Sequence, residues 1–267
     1  MSDAQRAKVA LVTGGTSGIG RATAAVLAAH GYRVFGTSRT PAAPRLDNFE
    51  LVPLDVTSDS SVAACVAEVV GRTGGRIDVL VNNVGTGILG ACEESTAEQV
   101  KALFDVNVFG AVRMTNAVLP HMRARRTGHI LAMSSSGGAA SIPFAGYYCA
   151  TKHALEAYTE ALRMEVEAFG IRVAIIAPGP VSTPAGDTAM RADRPLADYA
   201  DRRGPATATF VQPIRDGMDP GRVAEAVLDV LETADPKPRY TVGVQSWATS
   251  FFRRILPNRV FEKGARK

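Results

Sequence analysis

The chain has 267 residues, 46% of them hydrophobic and 21% charged, with a formal net charge of +4. That length suits one α/β domain with a large core, and the composition is that of a globular protein, not a disordered one. The charge excess is mild and no long Lys/Arg run occurs, so nucleic acid is not expected as a partner.

Cys65, Cys92 and Cys149 are widely spaced and odd in number, with no CxxC pair. A disulfide framework and a zinc site are therefore not expected, and a reduced cytoplasmic setting is. His30, His121, His129 and His153 show no metal-ligand spacing, so no metal is expected. The opening MSDAQRAKVALVTGG has too short an apolar run for a signal peptide and leads straight into a strand. No run of about 20 apolar residues could span a bilayer.

Strand-like and helix-like runs alternate. Residues 9–14 (VALVTG) form a buried-strand pattern, and an alanine-rich helix runs from Ile19 to His30, closed by Gly31. Residues 32–38 (YRVFGTS) and 49–56 (FELVPLDV) read as the second and third strands. A helix over 58–74 opens with Ser and Asp and closes on Gly. Residues 77–83 (IDVLVNN) form the fourth strand, and a long helical region follows from about Thr96 to Arg125. The fifth strand covers 128–135 (GHILAMSS), a helix spans about 146–169, and the sixth strand covers 171–179 (IRVAIIAPG). PGRVAEAVLDVLET gives a last helix and PRYTVG a last strand. Near-continuous apolar strands alternating with helices predict a Rossmann-type, doubly wound parallel α/β sheet of seven strands, with helices on both faces.

Residues 182–219 break the rhythm, with several prolines, Arg/Asp pairs and little apolar periodicity. The stretch is too long for a simple connection and reads as a substrate lid or loop. The tail, 247–267, interleaves aromatics with arginines. If helical, it sets Phe251, Phe252, Ile255 and Leu256 in one apolar stripe beside Arg253 and Arg254. Two readings stay open: a terminal helix that covers the domain or meets another subunit, and an interfacial helix that touches a membrane and admits lipophilic substrate.

The first strand runs into TGGTSGIG, residues 13–20, with glycines at 14, 15, 18 and 20 opening a helix. Without a Cβ, the backbone N–H groups can approach a pyrophosphate at the positive helix N-terminus. An acid at the end of the second strand would hold the adenosine ribose hydroxyls and repel a 2′-phosphate. Ser38 and Arg39 stand there instead. A hydroxyl beside a guanidinium suits the 2′-phosphate of NADP, so NADP(H) is the expected cofactor.

These features, with others in a fixed order, make the chain similar to the short-chain dehydrogenase/reductase family from about Lys8 to Gly243. TGGTSGIG resembles the family's TGxxxGxG turn, which implies cofactor contacts at Gly14, Thr16, Ser17, Gly18, Ile19 and Gly20. LDV (54–56) resembles the segment whose Asp meets the adenine amino group, here Asp55 beside Val56. VNNVG (81–85) resembles the NNAG motif and implicates Asn82, Asn83, Val84 and Gly85, with Val84 in place of the usual Ala. PGPVST (178–183) resembles the PGxxxT segment. It implies that Pro178, Gly179 and Val181 meet the nicotinamide carboxamide and that Thr183 meets a phosphate. The resemblance also implies a homodimer or homotetramer built on the long helices.

Tyr148 and Lys152 lie four apart on one helix face. A phenol has a reference pKa of about 10, and an adjacent ammonium favours the phenolate. Lys152 is therefore expected to lower the pKa of Tyr148 and to hydrogen-bond the nicotinamide ribose. Tyr148 would give its proton in carbonyl reduction and take one in alcohol oxidation. The resemblance adds a serine 13 residues before the tyrosine, which is Ser135. Choosing Tyr147 would select Ser134, but its i+4 partner is Thr151, so Lys152 sets the register. Asn107, in FDVNVFG, falls where the family has an active-site Asn that anchors a water leading toward the lysine. SIPFAGYY (141–148) and the stretch from 148 to 183 look closer to the hydroxysteroid and retinol dehydrogenase branch than to 3-oxoacyl carrier-protein reductases. That implies a lipophilic small-molecule ketone or alcohol as substrate. Reduction of a 3-oxoacyl thioester, and a non-catalytic NADP-binding sensor on the same fold, stay open as alternatives.

Overall fold

The computed structural model describes residues 7–265. In chain order its strands are β1 (Val9–Val12), β2 (Arg33–Ser38), β3 (Arg45–Leu46), β4 (Phe49–Pro53), β5 (Val79–Asn82), β6 (Ile88–Leu89), β7 (Gly128–Met133), β8 (Ile171–Pro178), β9 (Met190–Arg191) and β10 (Arg239–Val242). The helices are α1 (Gly18–Ala29), α2 (Asp59–Thr73), α3 (Ala97–Phe104), α4 (Gly110–Arg125), α5 (Gly146–Val166), α6 (Ala185–Thr188), α7 (Ala200–Arg215), α8 (Pro220–Glu232), α9 (Val244–Ile255) and α10 (Asn258–Ala265).

Eight strands make one sheet in the order β10-β8-β7-β5-β1-β2-β4-β3. Seven of them run parallel, as expected from their near-continuous apolar runs, and β3 adds a short antiparallel edge against β4. A strand of two residues carries no alternation that a sequence reading could catch. Side chains alternate across the sheet and divide the core in two. Val9 and Leu11 of β1 face the helices α2, α4 and α5, meeting Val66, Met114, Val118 and Leu162. Ala10 and Val12 face α1 and α8, meeting Leu27, Val223 and Val227. Helix starts are signalled locally. Ser58 accepts the Ser61 N–H ahead of α2, and Asp219 accepts the Gly221 N–H ahead of α8, whose first residue is Pro220.

β1 pairs with β2 on one side and β5 on the other, so the strand order reverses there. Such a reversal opens a crevice at the carboxyl ends of the strands, where ligands of this architecture sit. The helical region expected from Thr96 to Arg125 is broken by a π-helical turn, Asp105–Phe109, which holds Asn107. π-bulges of this kind occur mainly where a side chain must be re-aimed at a site.

Residues 182–219 are not an irregular loop. They contain α6, β9 and the 16-residue α7. β9 pairs with β6, and Glu94 ties the segment down. The Glu94 carboxylate is fully buried and accepts the backbone N–H groups of Ala91 and Leu196, each at 2.8 Å, and Arg203 Nε at 3.1 Å. The Arg203 guanidinium, with those two N–H groups, holds this carboxyl down at about 2.

Candidate active site

The carboxyl ends of β1, β2, β5, β7 and β8 open onto one cleft of about 870 Å³. Of the residues expected at the site, Gly14, Ser17, Gly18, Ile19, Arg39, Asn83, Val84, Gly85, Ser135, Tyr148, Lys152, Pro178, Gly179, Val181 and Thr183 line it. Thr16, Gly20, Ser38, Asp55, Val56, Asn82 and Asn107 lie outside its lining.

The turn after β1 is built by its glycines. Gly14 and Gly18 have φ of 69° and 51°, the left-handed region that disfavours a side chain. A Cβ on Gly20 would stand 2.1 Å from the Gly14 carbonyl oxygen, so Gly20 serves the packing of α1 on its own turn. Ser17, the residue before α1, makes no side-chain cap, and the first turn of the helix has no acid. The N–H groups at this helix end are thus left facing the cleft without an anionic partner.

The two asparagines after β5 part company. Asn83 Nδ2 donates to the Thr13 carbonyl at 2.8 Å and ties β5 to β1. Asn82 is buried, and its Nδ2 donates to Thr115 Oγ1 on α4 at 3.1 Å. Consecutive strand residues face opposite ways. The Asn82 side chain therefore belongs to the core, outside the cleft lining. The Val56 side chain is likewise core, packed so close to Gly110 that a Cβ there would stand 2.8 Å from its methyl. Val84, the departure from the motif, packs on the core, and the bare Gly14 leaves space for its methyl.

Asp55 stands on the rim beyond β4. Its Oδ1 accepts the Thr57 hydroxyl at 2.7 Å and the Thr57 N–H at 2.9 Å. Those bonds, aided by the nearby Arg39 guanidinium, hold its carboxyl below the usual range. Arg39 itself is exposed and forms no salt bridge among the described residues.

Around Tyr148 the groups are close. A Cβ on Gly137 would meet Tyr148 Cε1 at 3.2 Å and Ser135 Oγ at 3.6 Å, so a glycine lets these two residues share one corner. Ser135 Oγ is fixed by accepting the Gly137 N–H at 3.1 Å. Lys152 is buried and its Nζ donates to the Met133 carbonyl at 2.8 Å. Asn107, fully buried, accepts the Thr86 N–H at 2.9 Å and donates to the Thr86 carbonyl at 2.9 Å and to Thr151 Oγ1 at 3.0 Å. Gly85 lies between Asn107 and Lys152, where a Cβ would stand 3.5 Å from one and 3.3 Å from the other.

Residues 8–194 match the family described as short chain dehydrogenase. The chain belongs to the short-chain dehydrogenase family. Its relatives include a 3-ketodihydrosphingosine reductase of Bacteroides thetaiotaomicron, 38% identical over 88% of this chain and 88% of that protein. A 17-beta-hydroxysteroid dehydrogenase type 1 of Mus musculus is 34% identical over 87% of this chain and 72% of its own length. Among solved structures, a short-chain dehydrogenase from Streptomyces avermitilis is 37% identical, with a TM-score of 0.83 over 100% of this chain and 99% of that one. A Burkholderia phymatum member bound to NAD aligns with a TM-score of 0.82 at 26% identity, over 93% of each chain. An alcohol dehydrogenase from Thermococcus sibiricus bound to 5-hydroxy-NADP aligns at 0.72 and 27% identity, over 89% of this chain and 96% of that one. A nicotinamide cofactor and oxidoreductase chemistry follow from this membership.

In this short-chain dehydrogenase the phenol of Tyr148 lies above its ordinary value despite the nearby Lys152, not below it as expected. Burial pushes it up to about 12, and the Ser135 hydroxyl beside it draws it only part of the way back. Lys152 Nζ stands 5.9 Å from the Tyr148 ring centroid and spends a hydrogen bond on Met133. Burial lowers the Lys152 ammonium to about 8, with Glu156 opposing.

Several residues of the cleft escaped the sequence reading. Phe210, Pro213 and Ile214 of α7 cover its outer side, and Phe210 meets Tyr148 edge to face at 5.8 Å. Phe252, Leu256, Val260 and Phe261 of the C-terminal tail form another wall. The amphipathic pattern of that tail was visible, but the inward turn of Phe252 and Leu256 is a long-range contact with no local signal.

Proposed function

We propose that the protein is an NADP(H)-dependent oxidoreductase that interconverts a carbonyl and a secondary alcohol on a lipophilic small molecule. The observation that carries this reading is that Ser135, Tyr148 and Lys152 line the same cleft as the uncapped N-terminus of α1.

The site fits a dinucleotide. The free N–H groups at Ser17, Gly18 and Ile19 suit a pyrophosphate, and Thr183 stands against Gly18, where a Cβ would approach its methyl to 3.0 Å. Asp55, its Oδ1 held by Thr57, has Oδ2 left to accept the adenine amino group. Arg39, without a carboxylate partner, supports choice of the 2′-phosphate form. When bound, the nicotinamide supplies or accepts the hydride.

The remaining steps belong to the chain. Ser135 Oγ donates to the substrate oxygen and orients it. Tyr148 gives its proton to that oxygen as the alcohol forms; a phenol near 12 is fully protonated at neutral pH and ready for this direction. Lys152, charged below about 8, stabilises the phenolate left behind. Asn107 holds the backbone of Thr86 and the hydroxyl of Thr151, one residue from Lys152, and so keeps the floor of the site in place.

The lipophilic substrate is supported by the cleft's apolar side, made by Ile142, Phe210, Ile214, Phe252 and Leu256, and by two relatives named for a ketodihydrosphingosine and a hydroxysteroid. Segment 182–219 then acts as a substrate lid, with Phe210 and Ile214 against the cleft and Leu196 and Arg203 held by Glu94. An activity screen over aliphatic, aromatic, steroid and retinoid carbonyls, run with NADPH and with NADH, tests the proposal. Turnover of apolar ketones with NADPH preferred is the expected result; no turnover across the panel despite NADPH binding would overturn it.

A further inference from the structure

We infer that the outer face of α9, continued by the start of α10, is a docking surface for an anionic lipid bilayer. Six of the nine large hydrophobic side chains exposed among the described residues fall here: Val244, Trp247, Phe251, Phe252, Ile255 and Val260. That concentration makes a patch, not the single scattered side chains of an ordinary surface.

The patch has helical order. Val244, Trp247, Phe251 and Ile255 are spaced by three, four and four residues, one stripe along α9. The Trp247 and Phe251 rings stack at 5.2 Å between centroids. None of these four lines the cleft. Phe252 and Val260 do line it, yet are 44% and 53% exposed. The apolar rim of the cleft is therefore continuous with the stripe.

Charge selects the occupant. From residue 244 to 261 the ionised side chains are Arg253, Arg254 and Arg259, all exposed, with no Asp or Glu among them. A second copy meeting this face across a two-fold axis would oppose like charges. An anionic bilayer neutralises them, while the rings enter the headgroup boundary and the arginine stems follow. No helix among the described residues is long and apolar enough to cross a membrane, so the contact is with its surface. Docking would place the rim where a poorly water-soluble carbonyl compound is concentrated. That consequence rests on the substrate class proposed above; the docking does not.

Trp247 is the only tryptophan of the chain and sits within the stripe, so its emission reports on the contact. The full chain is mixed with phosphatidylcholine vesicles, with and without phosphatidylserine, and followed by Trp fluorescence and flotation, with no substrate present. The expected result is a blue shift and flotation with the anionic vesicles, weakened by salt. Phe251→Ser with Ile255→Ser should abolish both while leaving turnover of a water-soluble ketone unchanged. Arg254→Glu with Arg259→Glu, at exposed positions, should weaken anionic binding about 30-fold or more, each basic residue being worth about a factor of five. No shift and no flotation by the wild-type chain would overturn the inference. So would a wild-type dimer, its Trp247 emission already blue-shifted, that Phe251→Ser with Ile255→Ser makes monomeric.

Discussion

Glu156 and Arg239 meet in a two-pronged ion pair one helical turn beyond Lys152, Nε to Oε2 at 2.9 Å and Nη2 to Oε1 at 3.2 Å. Ser134, next to Ser135, donates to the same carboxylate at 2.5 Å, and Arg239 reaches on to Ser250 of α9 at 3.0 Å. A Cβ on Gly138 would stand 2.2 Å from Glu156 Oε1, so a glycine is needed for this packing. The pair joins β7, α5, β10 and α9 behind the reacting groups. Its carboxylate also opposes the burial that lowers the Lys152 ammonium. Glu156 is thus a positioning residue.

Glu156→Gln should cost about 3 kcal/mol in urea unfolding, because Arg239 is left without its counter-ion. It should also shift the alkaline limb of the reduction pH profile to lower pH. Adding Arg239→Met should recover much of the stability but leave that limb shifted. If the double variant restores both, the role of Glu156 is structural only.

The pH dependence of the two directions should differ. Lys152, lowered to about 8 by burial, is charged below that value and loses its charge above it. Carbonyl reduction should therefore be level near neutrality and fall as pH rises through about 8. Alcohol oxidation needs the Tyr148 phenolate, and with the phenol near 12 its rate should climb with pH over the same range. Initial rates in both directions from pH 6 to 10 check this (about two units either side of the lysine). A reduction rate independent of pH across that range would contradict it.

Cofactor choice should rest on Arg39, which lines the cleft without a salt bridge of its own. Arg39→Ala should weaken NADPH binding about 10- to 100-fold, the worth of a charge-assisted hydrogen bond, and leave NADH binding unchanged. Isothermal titration with both cofactors reads this directly. Equal loss for both would remove Arg39 from the discrimination.

Asn107→Ala should leave the half-buried N–H and carbonyl of Thr86 without their Asn107 partners. A loss of about 2–4 kcal/mol in denaturant unfolding is expected from two such groups. Since Thr151 beside Lys152 loses the Asn107 donor, keeping only its bond to the Tyr148 carbonyl, kcat should drop more than KM rises. An unchanged unfolding midpoint would show that water replaces the amide.

The sheet was legible because its central strands are buried on both faces, which leaves apolar runs such as VAIIAP (173–178). The turn at Gly14–Gly20 and the i, i+4 pair Tyr148 and Lys152 were legible because each is local. Helix α7 was not, since it holds Pro205 and Pro213 and buries only Thr207, leaving no apolar stripe to read. The inward side chain of Asn82 was not legible in its motif, because its partner Thr115 lies 33 residues away on α4. The rise of the Tyr148 phenol could not be read from a neighbouring lysine, because its main cause is burial in the folded site. The Glu156–Arg239 pair spans 83 residues and has no local trace.

The central claim is that Tyr148 carries the proton, and Tyr148→Phe tests it. Steady-state reduction of an accepted ketone by the variant should show kcat lower by about 10²–10⁴-fold, with NADPH affinity unchanged by titration. A variant that keeps its rate within about tenfold of wild type would contradict the account, since loss of a general acid costs more than that.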